Sequence, residues 1–276
     1  MSAVPAEPAE PAEPAGPATR PVRIGVQIQP QHADWSRLRD TALMAEEKGV
    51  DVAFTWDHFF PLHGEPDGRH FECWTTLAAW AEATSRIELG ALVTCNSYRN
   101  PDLLADMSRT IDHISTGRLI LGIGSGWFQK DYDEYGYEFG TKVGRLDDLA
   151  AALPRIASRL GQLNPRPTRH IPVLIGGGGE KKTLRLVARH ADIWHGFGEP
   201  DMIERKHRIL DEWCTKEGRD PAAIERSVTV KGSPADLGPA FHVLGTRLFV
   251  LAAGGPDFDF AFLDDWLAWR DETNAA

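Results

Sequence analysis

Cysteine is scarce in this sequence, and no two cysteines form a CxxC motif. Cys73, Cys95 and Cys214 are widely spaced in a chain of 276 residues. This spacing argues against a disulfide framework and a cysteine zinc site, and it favours a reducing compartment. We therefore interpret each cysteine as a small buried apolar residue and predict a cytoplasmic protein.

Long apolar segments are also missing. No segment approaches the roughly 20 consecutive apolar residues that a membrane span needs, so we expect no membrane integration. The chain starts with repeated Pro-Ala-Glu and has neither the basic nor the apolar region of a secretory signal. We predict a disordered Pro/Ala/Glu tail over residues 1–21 and a single domain over residues 22–276.

Positive charge is in deficit. The chain has 30 Lys and Arg against 40 Asp and Glu, for a formal net charge of −10. This balance disfavours nonspecific binding to nucleic acid. An anionic ligand must then be held locally, by oriented backbone amides and a few placed cations.

Several catalytic and cofactor motifs are absent. The histidines lack the spacing of a metal site, so we predict no metal centre. The nucleophile pattern GxSxG, forced onto residues 122–126, puts Gly124 where the serine should be. Gly122, Gly124 and Gly126 echo the dinucleotide motif GxGxxG, but the third spacing is wrong.

What the sequence does have is a regular alternation of strand-like and helix-like segments. Helical patterns separate the strands, and Asn100 with Pro101 predicts one helix start. Eight such units with no composition break predict one closed (β/α)8 TIM-like barrel. The predicted strands are Val22–Ile28, Val52–Trp56, Ile87–Val93, Arg118–Ile123, Pro172–Ile175, Ala191–His195, Ser227–Val230 and Leu248–Leu251.

The segment DVAFTWDHFF at residues 51–60 organises the rest of the chain. Asp57 and His58 directly follow a buried strand, at the carboxyl end where parallel α/β sheets place their chemistry. Neighbouring strand residues point to opposite sides, so the two should not share one role. We predict His58 for proton or charge management near neutral pH and Asp57 for orienting a hydrogen bond. Capping of the next turn is the alternative structural role.

Two glycine-rich loops follow later strands. Gly176, Gly177, Gly178 and Gly179 come after the fifth strand, and Lys181 and Lys182 follow in the predicted first turn of a helix near Glu180. Close backbone approach and exposed amides are what a phosphate needs, although such turns also serve tight packing. Gly124, Ser125 and Gly126 offer a second amide loop. Together with Thr94 and Asn96, these loops predict a site for a large phosphorylated cofactor. We predict that Trp127 is either a wall of this pocket or an ordinary core residue.

These residues carry a resemblance over nearly the whole chain from Arg23 to Leu251. It is similar to the bacterial luciferase-like family, in particular the branch that depends on the deazaflavin coenzyme F420. The matching stretches are TWDHFFP at 55–61, LGALVTCNSYRNPDLLA at 89–105, TIDHISTGRLILGIGSGW at 110–127 and IPVLIGGGGEKKTLRLVARHADIW at 171–194.

The resemblance implies a barrel that binds F420 or FMN at its carboxyl face. Asp57 and His58 would lie beside the ring, Thr94 and Asn96 near its polar edge, and Gly126, Gly177 and Gly178 near the ribityl chain and phosphate. The family often has a non-proline cis peptide in the third strand, which would fall around Ala91 and Leu92 here. Relatives are often dimers, which implies a homodimer, although the residues themselves do not determine oligomeric state.

One departure from the family concerns acid and base chemistry. Some F420-dependent members place a catalytic glutamate where Trp127 stands here, and neither Glu134 nor Glu138 aligns with that position.

We predict a cytoplasmic F420-dependent oxidoreductase that transfers a hydride to or from a small organic substrate. The alternatives are an FMN-dependent monooxygenase that uses reduced flavin and oxygen, a non-catalytic flavin or F420 carrier and, more remotely, a metal-dependent barrel hydrolase.

Overall fold

Strands and helices alternate along the chain, as the apolar patterns predict. The computed structural model describes residues 20–276, so the predicted tail lies outside the described residues except for its last two positions. The strands of the described residues are β1 (Arg23–Ile28), β2 (Val52–Thr55), β3 (Glu88–Ala91), β4 (Thr94–Cys95), β5 (Leu119–Gly124), β6 (Val173–Gly176), β7 (Ile193–Gly196), β8 (Glu225–Thr229) and β9 (Thr246–Ala253).

Helices occupy most of the connections between these strands. Asn100 caps one of them by accepting a hydrogen bond from the Asp102 amide at 2.9 Å, and Pro101 takes the first helical position, as predicted. The helices are α1 (Trp35–Lys48), α2 (Cys73–Ala83), α3 (Pro101–Ser115), α4 (Gln129–Tyr135), α5 (Lys142–Leu160), α6 (Thr183–His190), α7 (Pro200–Glu217), α8 (Pro234–His242) and α9 (Ala261–Ala275).

The strands form a closed parallel barrel, which confirms the predicted fold class. The pairing order is β3-β2-β1-β9-β8-β7-β6-β5-β4, and β3 also pairs with β5. Strand β4 continues β3 after a two-residue interruption and pairs with β5 as well. Counting β3 and β4 as one position gives the eight positions of a (β/α)8 barrel, with its loops converging at the carboxyl ends.

Apolar side chains fill the inside of the barrel. Val52 and Phe54 from β2 meet Ile120 from β5, Leu174 from β6 and Val250 from β9, and each is almost fully buried. A larger apolar layer separates the outer face of the barrel from the helices. Because the interior is packed, open space for a ligand is confined to the mouth.

The third predicted strand is interrupted. The sequence pattern predicts one strand over Ile87–Val93, but β3 ends at Ala91 and a cis peptide bond joins Leu92 to Val93. The resemblance placed such a bond around Ala91 and Leu92, one residue earlier. The Gln27 side chain donates to the Leu92 carbonyl at 2.8 Å, which fixes the interrupted segment, here called the bulge, against β1.

Two local predictions need correction. Residues 131–139 lack helical periodicity, yet α4 forms over Gln129–Tyr135 because its aromatic side chains pack against the loop after β2. Helix α6 begins at Thr183 rather than near Glu180, because side-chain contacts hold residues 180–182 in a turn. Among the described residues, none of the helices combines the length and apolarity needed to cross a membrane.

Candidate active site

A cavity of about 490 Å³ opens at the carboxyl end of the barrel. It brings together most of the residues that the sequence singled out, although they come from five different strand ends. Those that line it are Asp57, His58, Leu92, Thr94, Gly124, Ser125, Gly126, Trp127, Gly176 and Gly177. The spatial premise of the sequence prediction, that His58 and the glycine loops meet at one rim, is therefore met.

Four predicted residues lie elsewhere. Ala91 is buried under the bulge, and Gly178 and Gly179 are exposed beyond the rim. Asn96 belongs to a 3-10 turn that carries it out of the strand, and it lines a separate groove of about 780 Å³. Its side-chain oxygen is buried without a hydrogen-bond partner.

His58 is paired with a residue that the sequence did not indicate. Its Nδ1 lies 2.7 Å from Oδ2 of Asp131, which is fully buried at the start of α4. Tyr98 donates its hydroxyl to the same carboxylate oxygen at 2.8 Å, and the Phe59 amide donates to Oδ1 at 3.0 Å. A carboxylate oxygen only accepts, so this contact puts the proton on Nδ1 and leaves Nε2 for a ligand.

Burial supports this arrangement of donors. It is the largest cause that raises the pKa of the Tyr98 hydroxyl, so Tyr98 stays protonated and remains a donor to Asp131. The His58 ring lies edge-on to Trp127 at 5.6 Å and to Phe128 at 5.4 Å between ring centroids. Only 12% of the His58 side chain is exposed. The imidazole is therefore held on three sides.

Helix α4 reaches His58 through aromatic packing. Tyr135 stacks on Phe59 with the ring centroids 4.0 Å apart and the planes at 19°. Phe59 also packs against Tyr98 at 4.7 Å. The stack fixes the short helix over the loop that carries His58, which places Asp131 within reach.

Asp57 faces a different network. Arg99 donates to both of its oxygens, at 2.6 Å to Oδ2 and 3.1 Å to Oδ1. The Cys95 amide donates to Oδ2 at 3.1 Å, and the Thr94 hydroxyl donates to it as well. Burial alone would lower the pKa of Arg99, but Asp57, with smaller effects from Cys73 and Glu72, outweighs burial and the pKa is raised. Arg99 also donates to Glu72 at 2.5 Å. Asp57 is 1% exposed, so its chemistry is directed at the protein, where it ties β4 to the end of β2.

The bulge forms one wall of the cavity. Val93 packs against two strand glycines: an added β-carbon would lie 2.7 Å from its side chain at Gly124 and 3.0 Å at Gly176. A side chain at either position would push the bulge away from β5 and β6. Gly124 and Gly176, the last residues of β5 and β6, thus make room for the apolar surface of Leu92 and Val93 at the mouth.

Gly126 is constrained from two directions. Its φ is +79°, and an added β-carbon would lie 2.0 Å from the Tyr132 hydroxyl and 2.6 Å from the Cys95 sulfur. Arg145 donates to its carbonyl at 3.2 Å. At Gly126 the loop after β5 therefore presents backbone, rather than a side chain, to the cavity.

The lysine that reaches the glycine loop at residues 176–179 is not one of the two that the sequence predicted. Lys182 pairs with Asp147 at 2.5 Å, and both Lys181 and Lys182 precede α6 rather than opening it. Lys206 from α7 instead reaches the loop, where its Cε would lie 3.6 Å from a β-carbon at Gly178. It pairs with Glu180 at 2.6 Å.

The opposite half of the mouth was missed by the sequence prediction. It is built by strand ends that carry no motif, although their position after predicted strands was a usable signal. Its residues are Gln27, Gln29, His195, Phe197, Thr229 and Lys231, and Trp56 and His63 line the cavity beside His58. His195 is fully buried, with Ser227 Oγ at 2.8 Å and Thr229 Oγ1 at 3.0 Å, and burial lowers its pKa to about 3. His195 is therefore neutral near pH 7.

No group of three or more His, Cys, Asp or Glu side chains that could hold a metal ion occurs in the part of the chain that the structure describes. The three cysteines are free and buried apart from one another.

Comparisons with known proteins identify the family and match the fold. A family model described as luciferase-like monooxygenase matches residues 19–236. An F420-dependent glucose-6-phosphate dehydrogenase of Kineococcus radiotolerans is 27% identical over 250 residues, covering 83% of this chain and 73% of the relative.

Two solved structures share the barrel. One is an F420-dependent secondary alcohol dehydrogenase in complex with an F420-acetone adduct, with a TM-score of 0.78 at 16% identity over 90% of this chain and 97% of the other. The second is a type II Baeyer-Villiger monooxygenase of Pseudomonas putida in complex with FMN, with a TM-score of 0.61 at 16% identity over 76% and 67%. At these identities the likeness establishes the fold.

Proposed function

The chain belongs to the luciferase-like monooxygenase family, and on that premise we propose that it is a coenzyme F420-dependent oxidoreductase. It transfers a hydride between the deazaflavin and a small organic substrate. The F420-dependent dehydrogenases among its relatives support this choice of cofactor. We also propose a cytoplasmic location and a homodimer, which fractionation and analytical ultracentrifugation test.

The observation that carries the proposal is the composition of one cavity. The bulge, the glycine loops and the His58–Asp131 pair all line or border the same space of about 490 Å³. A planar ring needs an apolar platform, and a phosphorylated tail needs backbone that it can approach closely. The residues present fit both needs.

The parts of the cavity divide these tasks. Leu92 and Val93 would support one face of the ring, held by Gln27 through the Leu92 carbonyl. Gly126 and Gly177, both with positive φ, would admit the ribityl chain and phosphate to the backbone. When bound, the coenzyme supplies the hydride chemistry, and the protein supplies position and electrostatics.

His58 is the residue that would hold or move the substrate proton. Its Nδ1 is committed to Asp131, and its Nε2 has no hydrogen-bond partner among the described residues. Some F420-dependent members have a catalytic glutamate where Trp127 stands here, and Trp127, 64% exposed at the rim, cannot exchange a proton. Asp57 is the only carboxylate among the described residues that line the cavity, and its oxygens are occupied. Of the other histidines there, His195 has both ring nitrogens occupied and His63 is exposed. We therefore assign proton transfer to His58, whose ring is held by Asp131.

A flavin-dependent monooxygenase is the second candidate. It is favoured by the family's description and by the FMN complex with the same fold. Oxygen consumption during turnover separates the two functions, because a deazaflavin lacks the nitrogen at position 5 and does not react readily with oxygen.

Titration of the purified protein with F420 and with FMN tests the cofactor. We expect tight F420 binding, and tight FMN binding without F420 affinity would overturn the proposal.

His58→Ala tests the chemistry: cofactor affinity should persist while turnover falls by about 10²- to 10⁴-fold. His190→Ala is the matched control, since His190 lies at the end of α6 away from the cavity. Equal turnover in both variants would show that His58 does not transfer the proton, whereas a wild type that binds cofactor without any turnover would favour a carrier.

A further inference from the structure

The charge at the mouth of the barrel is unbalanced in one place. Besides histidines, the cavity is lined by two charged side chains, Asp57 and Lys231. Asp57 is paired with Arg99, which donates to both of its oxygens and also to Glu72. Lys231 forms no ion pair or hydrogen bond with any described residue, and its side chain is exposed to the cavity. Lys231 is therefore, histidines aside, the one cation among the described residues that line the cavity, and it has no partner there.

The backbone on either side of Lys231 is fixed. The Val230 amide donates to the Val250 carbonyl at 2.9 Å, which continues the pairing of β8 with β9. The Trp266 indole donates to the Gly232 carbonyl at 3.0 Å and ties the loop to α9. The ammonium group is thus presented from an anchored strand end rather than from a free loop.

The barrel order places Lys231 opposite the bulge. Eight positions close the ring, and β8 lies four positions from β3. A ring supported on Leu92 and Val93 presents its free face across the mouth toward β8. The glycine loops follow β5 and β6, so a cofactor phosphate held there is not beside Lys231. The cation therefore faces the space left for substrate.

We propose, on the basis of the proposed function, that the substrate is a small organic anion whose charged group is bound by Lys231. The formal net charge of −10 works against binding of an anion to the protein as a whole, so a local cation is needed. Trp127 and Phe197, 64% and 61% exposed, offer apolar surface at the rim for the body of such a molecule. His195, whose ring nitrogens are both occupied by Ser227 and Thr229, is neutral and adds no second cation beside Lys231.

Binding of matched probe pairs tests this without a known substrate. The protein is first titrated with F420 and FMN, so failure of the proposed function is seen at that step as failure to load. The loaded protein is then titrated with benzoate against benzamide and with phenyl phosphate against phenol, followed by tryptophan fluorescence and cofactor absorbance. We expect at least one anion to bind about tenfold more tightly than its neutral partner at low salt.

Variants assign the preference to one side chain. Lys231→Gln should abolish the preference, Lys231→Arg should keep it, and both should bind cofactor as the wild type does. Lys142→Gln, which removes an equal charge from the exposed start of α5, should change nothing. The proposal is overturned if neither anion is preferred by the wild type, if Lys231→Gln retains the preference, or if that variant loses cofactor affinity.

Discussion

Replacing Asp131 by Asn tests the hydrogen-bond network that holds His58. The Asp131 carboxylate accepts from His58, Tyr98 and the Phe59 amide in a fully buried position. An amide has one acceptor oxygen, so at least one of these donors must face its NH₂ group, whichever way the side chain turns. The Phe59 backbone amide can only donate, so the amide oxygen should face it and the NH₂ group should face His58. The imidazole then responds by moving its proton from Nδ1 to Nε2.

The magnitude follows from the bonds that are lost. A hydrogen bond to a charged group contributes about 1.5–3 kcal/mol, and a buried donor left without a partner costs about 1–3 kcal/mol. We expect Asp131→Asn to lower the free energy of unfolding by about 3 kcal/mol. In the proposed enzyme the exchanged tautomer should also lower turnover by about 10²- to 10⁴-fold.

Nitrogen-15 NMR of the imidazoles and urea denaturation measure both effects. The wild type should show His58 protonated on Nδ1, and the variant should show it protonated on Nε2. Asp133→Asn is the matched control, since Asp133 is exposed on the same helix. If Asp131→Asn keeps the Nδ1 tautomer and unfolds like the control, the inferred network is wrong.

Three further substitutions test the residues that hold the site in place. Arg99→Met leaves Asp57 buried without its partner and should lower the free energy of unfolding by about 3–5 kcal/mol in urea; a loss below about 1 kcal/mol would contradict the pairing. Gly126→Ala should cost about 2–4 kcal/mol, because the methyl group meets the Tyr132 hydroxyl and the backbone has φ of +79°. Tyr132→Phe in the same chain should restore part of that loss, and no restoration would rule out the hydroxyl clash. Burial lowers the pKa of His195 from 6.5 to about 3, so the unfolded chain binds a proton that the fold excludes. The stabilisation is complete above pH 6.5 and is lost as pH falls toward 3; His195→Asn should flatten this slope by up to about 1.4 kcal/mol per pH unit, and an unchanged slope would contradict a neutral buried His195.

The sequence predicts those parts of the site that follow from local pattern. His58 and the glycine loops stand directly after apolar strand-forming segments, and the carboxyl ends of parallel strands meet at one rim. The helix start at Asn100 and Pro101 is equally local, because the cap and the proline act within two residues. Both the closed barrel and the shared cavity could therefore be predicted.

The partners of these residues could not be predicted in the same way. Asp131 lies 73 residues from His58 and Arg99 lies 42 residues from Asp57 along the chain. Helix α4 has 7 residues, too few for a clear periodic signal or for stability on its own. It forms because Tyr135 stacks on Phe59, a contact between distant segments that periodicity does not report. Asn96 was predicted beside Thr94 at the cofactor site, but a 3-10 turn that begins at Asn96 turns it toward a separate groove.

The neighbours Asp57 and His58 show how one strand end serves two purposes. Alternation along a strand turns them to opposite sides, and the structure gives them separate acidic and basic partners. Asp57 binds Arg99 and fixes β4, while His58 binds Asp131 and keeps Nε2 available. Tyr98 is the last residue of the 3-10 turn at residues 96–98 and donates to Asp131. The next residue is Arg99, which binds Asp57. This turn therefore connects the two hydrogen-bond networks. A change in that turn therefore moves the Asp57–Arg99 pair and the His58 imidazole together, although Asp57 and His58 share no hydrogen bond.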